Sequence, residues 1–473
     1  MIFRVRTDTS RVDLVIFGAS GDLANRKILP AIRRLASRGD LPAGMRVIGV
    51  GRSAMARDEF RKRVADSKGR VDLAATAEWV RLDYSAPQSY RALADVISNS
   101  RCAIFYLATP PQTFIPIVST LRKSGLSRKG DSNRRVVVEK PLGHDLDSAR
   151  EINRELMVAF DEGEIFRIDH YLAKDTVQNV LAFRFSNSVF EPIWNRTLID
   201  SIQLTVAEDG GIGDRAGYYD QIGAVRDVLQ NHVLQLLAVA TMEPPNTLDA
   251  DDIRHAKVEA LQAMQPIDPA EAVRGQYEGY LDVKGVSPTS RTETYAAARL
   301  VMDNWRWDGV PIYIRTGKAL RRRVTEVIIR FRDAPHLRLD GRRQRSIPTL
   351  LVIRIQPHEA ISLRIGAKLP GAGFEMVPAG MTLEYTKLAK TALPDAYEHV
   401  LSEVLAGGHG VFPSGDEIDR SWELVDPLMQ AWESGGHPET YKKGSWGPGG
   451  AEELVATTGG GRWINSGDEP GTL

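Results

Sequence analysis

The first third of the chain repeats one pattern: a short apolar run, a turn, and a stretch with helical periodicity. Short strands that alternate with helices form βαβ units and therefore a parallel sheet. The runs are almost continuously apolar, which is typical of strands buried on both faces. The predicted strands are 12–17, 46–50, 79–82, 103–108, 135–138 and 165–168, and the predicted helices are 26–37, 58–67, 88–97, 111–123 and 145–160. The pattern predicts an α/β domain with a doubly wound parallel sheet over residues 12–173.

After residue 173 the rhythm changes. One long helix is predicted within residues 216–242, and consecutive strands are predicted at 310–315, 326–331, 350–356 and 360–365. Consecutive strands with few helices between them favour a mostly antiparallel sheet. We therefore expect a larger α+β domain over residues 174–456; the family resemblance described below implies that this domain binds substrate and mediates oligomerisation. Residues 457–473 are rich in glycine and polar residues, which predicts a loose C-terminal tail.

Bulk composition narrows the class of protein. A chain of 473 residues has room for two or three domains. Its 61 basic and 61 acidic residues argue against a general nucleic-acid binder, which carries a basic excess. Cys102 is the one cysteine and is predicted to be a core residue, so no intrachain disulfide can form. Without a signal-peptide pattern or an apolar run of about 18 residues, we expect a cytoplasmic protein with no membrane partner.

The turn after the first predicted strand reads FGASGDL, residues 17–23. Between a strand and a helix, such a turn binds the pyrophosphate of a dinucleotide, so the domain is expected to be Rossmann-like. Gly18 permits a tight turn and Gly21 a close backbone approach, whereas Ala24 stands near the place of the usual third glycine. A purely structural turn is the alternative. The candidate cofactor contacts in this segment are Gly18, Ser20, Gly21, Asp22, Leu23 and Lys27.

The end of the second predicted strand bears on the choice of cofactor. An NAD enzyme usually has an acidic residue there for the ribose hydroxyl, but this chain has Arg52 and Ser53. A guanidinium can pair with a 2′-phosphate through two hydrogen bonds, and Arg26 and Lys27 could approach the same group. NADP is therefore predicted, with NAD as the weaker alternative. The competing interpretation is that Arg52 is only a solvated surface residue.

The segment RIDHYLAK, residues 167–174, follows the last predicted strand of the first domain. Ligands of such sheets bind beyond the carboxyl ends of the strands. His170, Tyr171 and Lys174 together offer two potential cations and a hydroxyl donor, which suits a phosphate dianion. A packing role for Tyr171 and a simple ion pair between Asp169 and Lys174 remain as alternatives.

Further candidates lie elsewhere in the chain. RDVLQNH, residues 226–232, places Asp227 five residues before His232, which is not strictly the same face of an α-helix. Lys140, in VEKPLG, follows a predicted strand and is expected to point into the cofactor crevice. Lys318 follows a glycine in RTGKALRRR. No metal is expected, because the nine histidines lack paired spacing such as HExxH.

In this order, the segments GASGDLA, YLATPP, EKPLG, RIDHYL-K, IWNR, RDVLQNH, MEPP and TGKAL resemble the glucose-6-phosphate dehydrogenase family. The resemblance runs from about residue 14 to residue 447. It implies oxidation of D-glucose 6-phosphate at C1 to 6-phosphoglucono-1,5-lactone with reduction of NADP, the entry step of the oxidative pentose phosphate pathway. It also implies a Rossmann domain before a large antiparallel sheet, through which members form homodimers or homotetramers.

The same resemblance implies roles for individual residues. His232 resembles the general base for the C1 hydroxyl, and Asp169 its carboxylate partner. His170, Tyr171 and Lys174 resemble the phosphate-binding group. The residues that resemble sugar contacts are Lys140, Glu208, Asp227 and Lys318, with Arg323 as a further matched position, and Lys140 is also expected to contact the cofactor.

Departures from the family's pattern leave alternatives open. Ala173 and Ala216 stand where the family has glycine, and Asp175 replaces a glutamate, so substrate preference could differ. The first alternative is a dehydrogenase acting on another hexose phosphate or on free glucose. A sugar oxidoreductase of the glucose–fructose or inositol type is a more distant one. A non-catalytic nucleotide-binding paralogue is a third, although both Asp169 and His232 are present.

Overall fold

The computed structural model describes residues 11–65, 71–334, 338–339, 342–343, 347–371, 374–388 and 394–467. The chain divides into two compact units. The first comprises the described residues within Met1–Lys174, Pro245–His255 and Pro394–Asp419, and the second those within Asp175–Pro244, Ala256–Leu393 and Arg420–Leu473. Within the described ranges, every helix is too short or too polar to cross a membrane.

The first unit contains a parallel sheet, as the sequence predicts. Its strands are β1 (Val12–Phe17), β2 (Arg46–Gly51), β3 (Glu78–Arg81), β4 (Cys102–Leu107), β5 (Arg134–Val138) and β6 (Ile165–Arg167). Their order is β3-β2-β1-β4-β5-β6, and all the pairings are parallel. This order reverses direction between β1 and β4, which is the arrangement of a Rossmann domain and puts a ligand crevice at the carboxyl ends of those strands.

Helices connect these strands. They are α1 (Leu29–Arg38), α2 (Arg57–Val64), α3 (Val71–Ala75), α4 (Arg91–Ile97), α5 (Phe114–Lys123) and α6 (Leu146–Ala159), with a π-helix at Ala24–Ile28 before α1. The start of α6 confirms the predicted cap, because the Asp145 carboxylate accepts a hydrogen bond from the backbone N–H of Ser148 at 2.8 Å. The predicted core residue Cys102 is only partly buried, since it lies at the first position of β4.

The second unit contains a large mixed sheet. The strands from here on are β7 (Ile199–Ala207), β8 (Ala272–Tyr277), β9 (Tyr295–Leu300), β10 (Ile312–Gly317), β11 (Val324–Phe331), β12 (Arg338–Leu339), β13 (Arg342–Arg343), β14 (Leu350–Gln356), β15 (Ala360–Lys368), β16 (Met376–Glu384) and β17 (Glu439–Tyr441). In the described residues, nine of them have the order β16-β15-β14-β11-β7-β10-β9-β8-β17. Only the β7–β10 and β8–β17 pairings are parallel there, which confirms a mostly antiparallel sheet.

The remaining helices are α7 (Asp175–Phe185), α8 (Ala216–Tyr219), a π-helix (Val225–Val233), α9 (Leu234–Thr241), α10 (Ala250–Ala263), α11 (Tyr385–Leu388), α12 (Ala396–Ala406), α13 (Gly415–Ser434) and α14 (Gly449–Thr457). The long helix predicted within 216–242 is confirmed, because the π-helix continues directly into α9, and a turn separates this helical run from α8. Gly223 in that turn has φ +73°, and a Cβ there would lie 2.3 Å from a carboxylate oxygen of Glu293. Glu293 Oε1 in turn accepts a hydrogen bond from Val225 N–H at 3.0 Å, where the π-helix begins.

The chain after α14 also differs from expectation. Residues 458–467 are ordered against the second unit rather than loose. Trp463 is buried and its indole donates to Ala451 O at 2.8 Å, and Ile464 N–H donates to Gln203 Oε1 at 2.7 Å. Trp463 and Ile464 anchor this Gly-rich segment. The average composition of the segment, on which the prediction of a loose tail rested, does not reveal two such apolar residues. The rest of the predicted tail, 468–473, lies outside the described residues.

Candidate active site

The glycine turn connects β1 to the first helical segment. Gly18 has φ +78°, and a Cβ at this position would lie 2.5 Å from Ala108 O, after β4. Only glycine therefore lets the turn lie this close to the neighbouring strand, at the point where the sheet order reverses. Gly18 N–H donates to Val50 O and Gly21 N–H to Gly18 O, at 2.9 and 2.8 Å, so these two amides shape the turn. The turn fits a dinucleotide pyrophosphate, whose contacts we expect from the exposed Ser20 and Asp22 and from Leu23, where the helix begins.

The candidate residues for the cofactor's 2′-phosphate lie beside this turn. Arg52 and Ser53 follow β2 and are both exposed. Their carbonyl oxygens accept hydrogen bonds from the Arg81 guanidinium at 3.1 Å and the Trp79 indole at 3.3 Å. The backbone here is thus held from β3, which leaves the Arg52 guanidinium at the surface. Burial raises the pKa of the Tyr84 phenol, and the charge of Arg52 opposes that shift.

Two cationic candidates in the first helix carry acidic partners. Lys27 Nζ lies 3.9 Å from an Asp395 carboxylate oxygen, and Arg26 forms an ion pair with Asp22 at 2.6 Å. The Arg26 and Asp22 side chains are about three-quarters exposed, so this pair contributes little stability. Both cations remain accessible to an anion from solvent.

The carboxyl ends of β5 and β6 carry the phosphate candidates. The two strands pair in parallel with Val138 opposite Arg167, so Lys140 and Asp169 leave the sheet at the same edge. Asp169 is buried, and its Oδ1 accepts a hydrogen bond from Tyr171 N–H at 2.9 Å. This bond folds the chain back after β6 and turns the next three candidates toward one another.

His170, Tyr171 and Lys174 come together in the first unit. The His170 and Tyr171 ring centroids are 4.9 Å apart, and Lys174 Nζ lies 5.5 Å from the Tyr171 ring centroid. His170 and Lys174 are half-buried, whereas Tyr171 is 7 % exposed. A positive charge, a titratable ring and a phenol thus share one small region, which is the donor set that a phosphate dianion requires.

The second unit assembles three of the four sugar candidates that lie in it. Lys318 is buried; its ammonium forms an ion pair with Glu208 and lies 3.1 Å from Asp227 Oδ2. Burial lowers the pKa of Lys318, but the charges of Asp227 and Glu208 outweigh burial and raise it overall, so the ammonium stays protonated. Arg323, five residues after Lys318, is exposed and directly precedes β11.

His232 lies in the π-helix Val225–Val233 and is 2 % exposed. A π-helix joins residue i to residue i+5; it is rare and frequently occurs at functional sites. Residues five apart therefore lie on nearly the same face of a π-helix, so Asp227 and His232 share a face more closely than they would in an α-helix. Sequence periodicity does not reveal the π-helix, so the sequence alone could not predict this shared face.

Sequence reasoning missed several residues around these groups. The Tyr219 ring lies 5.5 Å from Lys318 Nζ, and burial raises the pKa of its phenol well above the usual range. Glu139 is buried beside Lys140 and accepts a hydrogen bond from the Tyr106 hydroxyl at 2.7 Å. Tyr397 packs on His170 with ring centroids 6.4 Å apart. The sequence could have indicated Glu139, because it is a charged residue directly after the apolar end of β5. No feature of the sequence around Tyr397 indicates its contact with His170.

The strand order, the glycine turn and the polar residues at the strand ends define a nucleotide-dependent oxidoreductase. Comparison with known proteins narrows this class. The family model "Glucose-6-phosphate dehydrogenase, NAD binding domain" matches residues 15–179, and "Glucose-6-phosphate dehydrogenase, C-terminal domain" matches residues 181–464. The chain belongs to the glucose-6-phosphate dehydrogenase family.

Individual relatives agree with this assignment. Glucose-6-phosphate 1-dehydrogenase 2 of Mycobacterium tuberculosis (strain ATCC 25618 / H37Rv) is 41% identical over 478 residues, covering 94% of this chain and 93% of the relative. Glucose-6-phosphate 1-dehydrogenase of Bacillus subtilis (strain 168) is 38% identical, covering 94% and 97%. A solved glucose-6-phosphate dehydrogenase in complex with its substrate glucose-6-phosphate superposes with a TM-score of 0.87 at 36% identity, covering 96% of this chain and 99% of that one. The crystal structure of glucose-6-phosphate 1-dehydrogenase from Mycobacterium avium superposes with a TM-score of 0.86 at 38% identity, covering 96% of this chain and 98% of that one.

Proposed function

We propose that this chain oxidises D-glucose 6-phosphate at C1 to 6-phosphoglucono-1,5-lactone and reduces NADP, as the entry step of the oxidative pentose phosphate pathway. The observation that carries the proposal is the cluster of His170, Tyr171 and Lys174 at the carboxyl end of β6. This cluster supplies the donors for the 6-phosphate. A cytoplasmic location is proposed with it, on the low cysteine content alone.

The chemical step needs a base and an acceptor. We assign the base to His232, which takes the proton of the C1 hydroxyl as the C1–H bond breaks with its electron pair. Asp169 is assigned the carboxylate role, which raises the basicity of an imidazole and stabilises its cation. NADP, when bound, supplies the hydride acceptor. The protein's own contribution is proton removal and alignment.

The sugar is assigned to the triad of the second unit and to Lys140. Glu208 and Asp227 can accept hydrogen bonds from ring hydroxyls, and the Lys318 ammonium between them holds both carboxylates in place. Arg323 is kept as a further sugar contact on the family resemblance alone. A sugar that lacks a correctly placed hydroxyl would leave one of these carboxylates without a hydrogen-bond donor, which penalises the wrong substrate.

The cofactor is assigned to the glycine turn, with Gly18, Ser20, Gly21, Asp22 and Leu23 around the pyrophosphate. Arg52, Ser53 and Lys27 are assigned to the 2′-phosphate, and Lys140 is assigned to both the cofactor and the sugar. Arg52 is exposed, and its backbone carbonyl is held by Arg81 of β3. The Arg52 guanidinium can therefore meet a 2′-phosphate, which supports NADP over NAD.

Initial rates of reduced-nicotinamide formation test the proposal. Purified protein is assayed with glucose 6-phosphate, free glucose and other hexose phosphates, each with NADP and with NAD. We expect fast turnover with glucose 6-phosphate and NADP, and a loss of about 10³-fold or more in kcat for His232→Asn. Activity only on another sugar would contradict glucose 6-phosphate as the substrate. Full turnover by His232→Asn would contradict the assignment of His232 as the base.

A further inference from the structure

Helix α12 begins beside the phosphate candidates, within the same unit. Residues 395–399, at its start, reach the end of β5, the segment after β6, and helix α1. Neither the proposed reaction nor the family resemblance gives this helix a role. The contacts of its first turn show what it could do.

The Tyr397 hydroxyl is fixed by a buried carboxylate. Glu139 is 6 % exposed and accepts hydrogen bonds from the hydroxyls of Tyr106, at 2.7 Å, and of Tyr397. Burial raises the pKa of Glu139, and the two phenol hydrogen bonds oppose the rise. A buried carboxyl group is costly unless its oxygens are bonded, so Glu139 and the two phenols restrain one another.

The ring of Tyr397 meets His170 on its other side. The two ring planes differ by 19° with centroids 6.4 Å apart, and the Tyr171 ring borders the same imidazole at 54°. The His170 imidazole therefore lies against two phenol rings, one of which is tied to Glu139. Two residues further along α12, His399 Nδ1 donates to Ala173 O at 2.9 Å, next to Lys174.

Helix α12 is itself firmly attached. The Asp395 carboxylate accepts a hydrogen bond from Tyr397 N–H at 2.9 Å and caps the helix. Glu398, 3 % exposed, forms ion pairs with Arg34 and with Arg38, the latter at 2.6 Å, both on α1. The first turn of α12 is thus a rigid support between α1 and the segment that bears His170 and Lys174.

We propose that Tyr397 is a positioning residue for the phosphate-binding group: through its bond to Glu139 and its stack on His170, it holds the imidazole at the 6-phosphate. This inference rests on the proposed function. Tyr397 is 8 % exposed and acts through His170 rather than on the substrate. A positioning role of this kind affects sugar phosphate binding more than cofactor binding or chemistry.

The test compares Tyr397→Phe and Tyr397→Leu with a matched control, Tyr90→Phe. Tyr90 is fully buried in the same unit, and its hydroxyl donates to Tyr84 O at 3.1 Å. We expect Tyr397→Leu to raise the KM for glucose 6-phosphate about tenfold and Tyr397→Phe about threefold, with kcat and the KM for NADP within about twofold. The inhibition constant of inorganic phosphate should rise in parallel. Tyr90→Phe should lower the melting temperature and leave every kinetic constant in place.

The outcomes separate the two proposals. If the wild-type protein does not oxidise glucose 6-phosphate, the proposed function fails. If it does, and the KM for glucose 6-phosphate in Tyr397→Leu stays within twofold of the wild type, the positioning role fails. If Tyr397→Leu does not fold, Tyr397→Phe tests the positioning role instead. A KM for glucose 6-phosphate in Tyr397→Phe equal to that in Tyr90→Phe would show that Tyr397 only packs.

Discussion

The ammonium group of Lys318 is enclosed by two carboxylates, and its removal would leave two negative charges side by side. The Lys318 side chain is 6% exposed, that of Asp227 22% and that of Glu208 41%. We expect Lys318→Met to lower the free energy of unfolding by roughly 3 kcal/mol, because breaking a buried ion pair leaves uncompensated charge. Glu208→Gln should cost less than about 1 kcal/mol, since its carboxylate is partly solvated. Urea unfolding of the two variants measures both values, and equal costs would contradict this division.

The positions of single residues could be predicted where they follow the end of a strand, and the roles assigned to these residues stay predictions. Asp169, His170 and Lys140 could be placed at one edge because parallel strands end together. Lys318, in the second unit, stands out in the sequence only because it follows a glycine. Tyr397 and Glu398 could not, since about 230 residues separate them from the segment they support, and a tyrosine in an amphipathic helix is ordinary in sequence. Long-range packing decides such roles, and local pattern carries no trace of it.

At the scale of elements, the turn before the π-helix holds the start of the helix that carries Asp227 and His232. Gly223 (φ +73°) leaves no room for a Cβ beside Glu293, whereas a Cβ added to Gly309 (φ +77°) would meet no atom within 4 Å. Gly309→Ala should therefore cost only the strain of a left-handed alanine, about 1 kcal/mol. Gly223→Ala should cost roughly 1–2 kcal/mol more and lower kcat at least tenfold, because the Glu293 carboxylate must leave Val225 N–H.

Chemical unfolding and steady-state kinetics of Gly223→Ala and Gly309→Ala separate the effect of the clash with Glu293 from the strain of the positive φ, because both variants share the strain and only Gly223→Ala has the clash. Equal kcat values in both variants would show that the start of the π-helix does not set the position of His232. The long helix after this turn was predicted correctly because its apolar residues from Val225 to Leu237 keep a helical period, whereas neither its π-helical part nor the tertiary contact of Gly223 leaves a local pattern. The parallel sheet was predicted correctly because its strands are apolar on both faces and carry their own signal.

At the scale of the whole molecule, the two edges of the large sheet differ. Edge strand β17 has three residues, whereas edge strand β16 has nine and exposes Met381 (57%) and Leu383 (40%). Residues two apart in a strand share a face, so these side chains form one apolar patch. A long, apolar edge invites pairing with another chain. We propose that this patch is the contact through which the protein forms the homodimer, or the dimers of a homotetramer, that the family resemblance implies.

Introducing positive charge into that patch tests the assembly. We expect the double variant Met381→Lys/Leu383→Lys to shift the sedimenting species to a smaller one, because two buried lysines per subunit would face their copies across the interface. Val189→Lys is the matched control, since Val189 is 68% exposed in the same unit but lies outside the sheet, and it should leave the mass unchanged. Sedimentation velocity over a range of concentrations gives the result. An unchanged mass for the double variant, with the wild type oligomeric, would place the interface elsewhere; a monomeric wild type would exclude the oligomer itself.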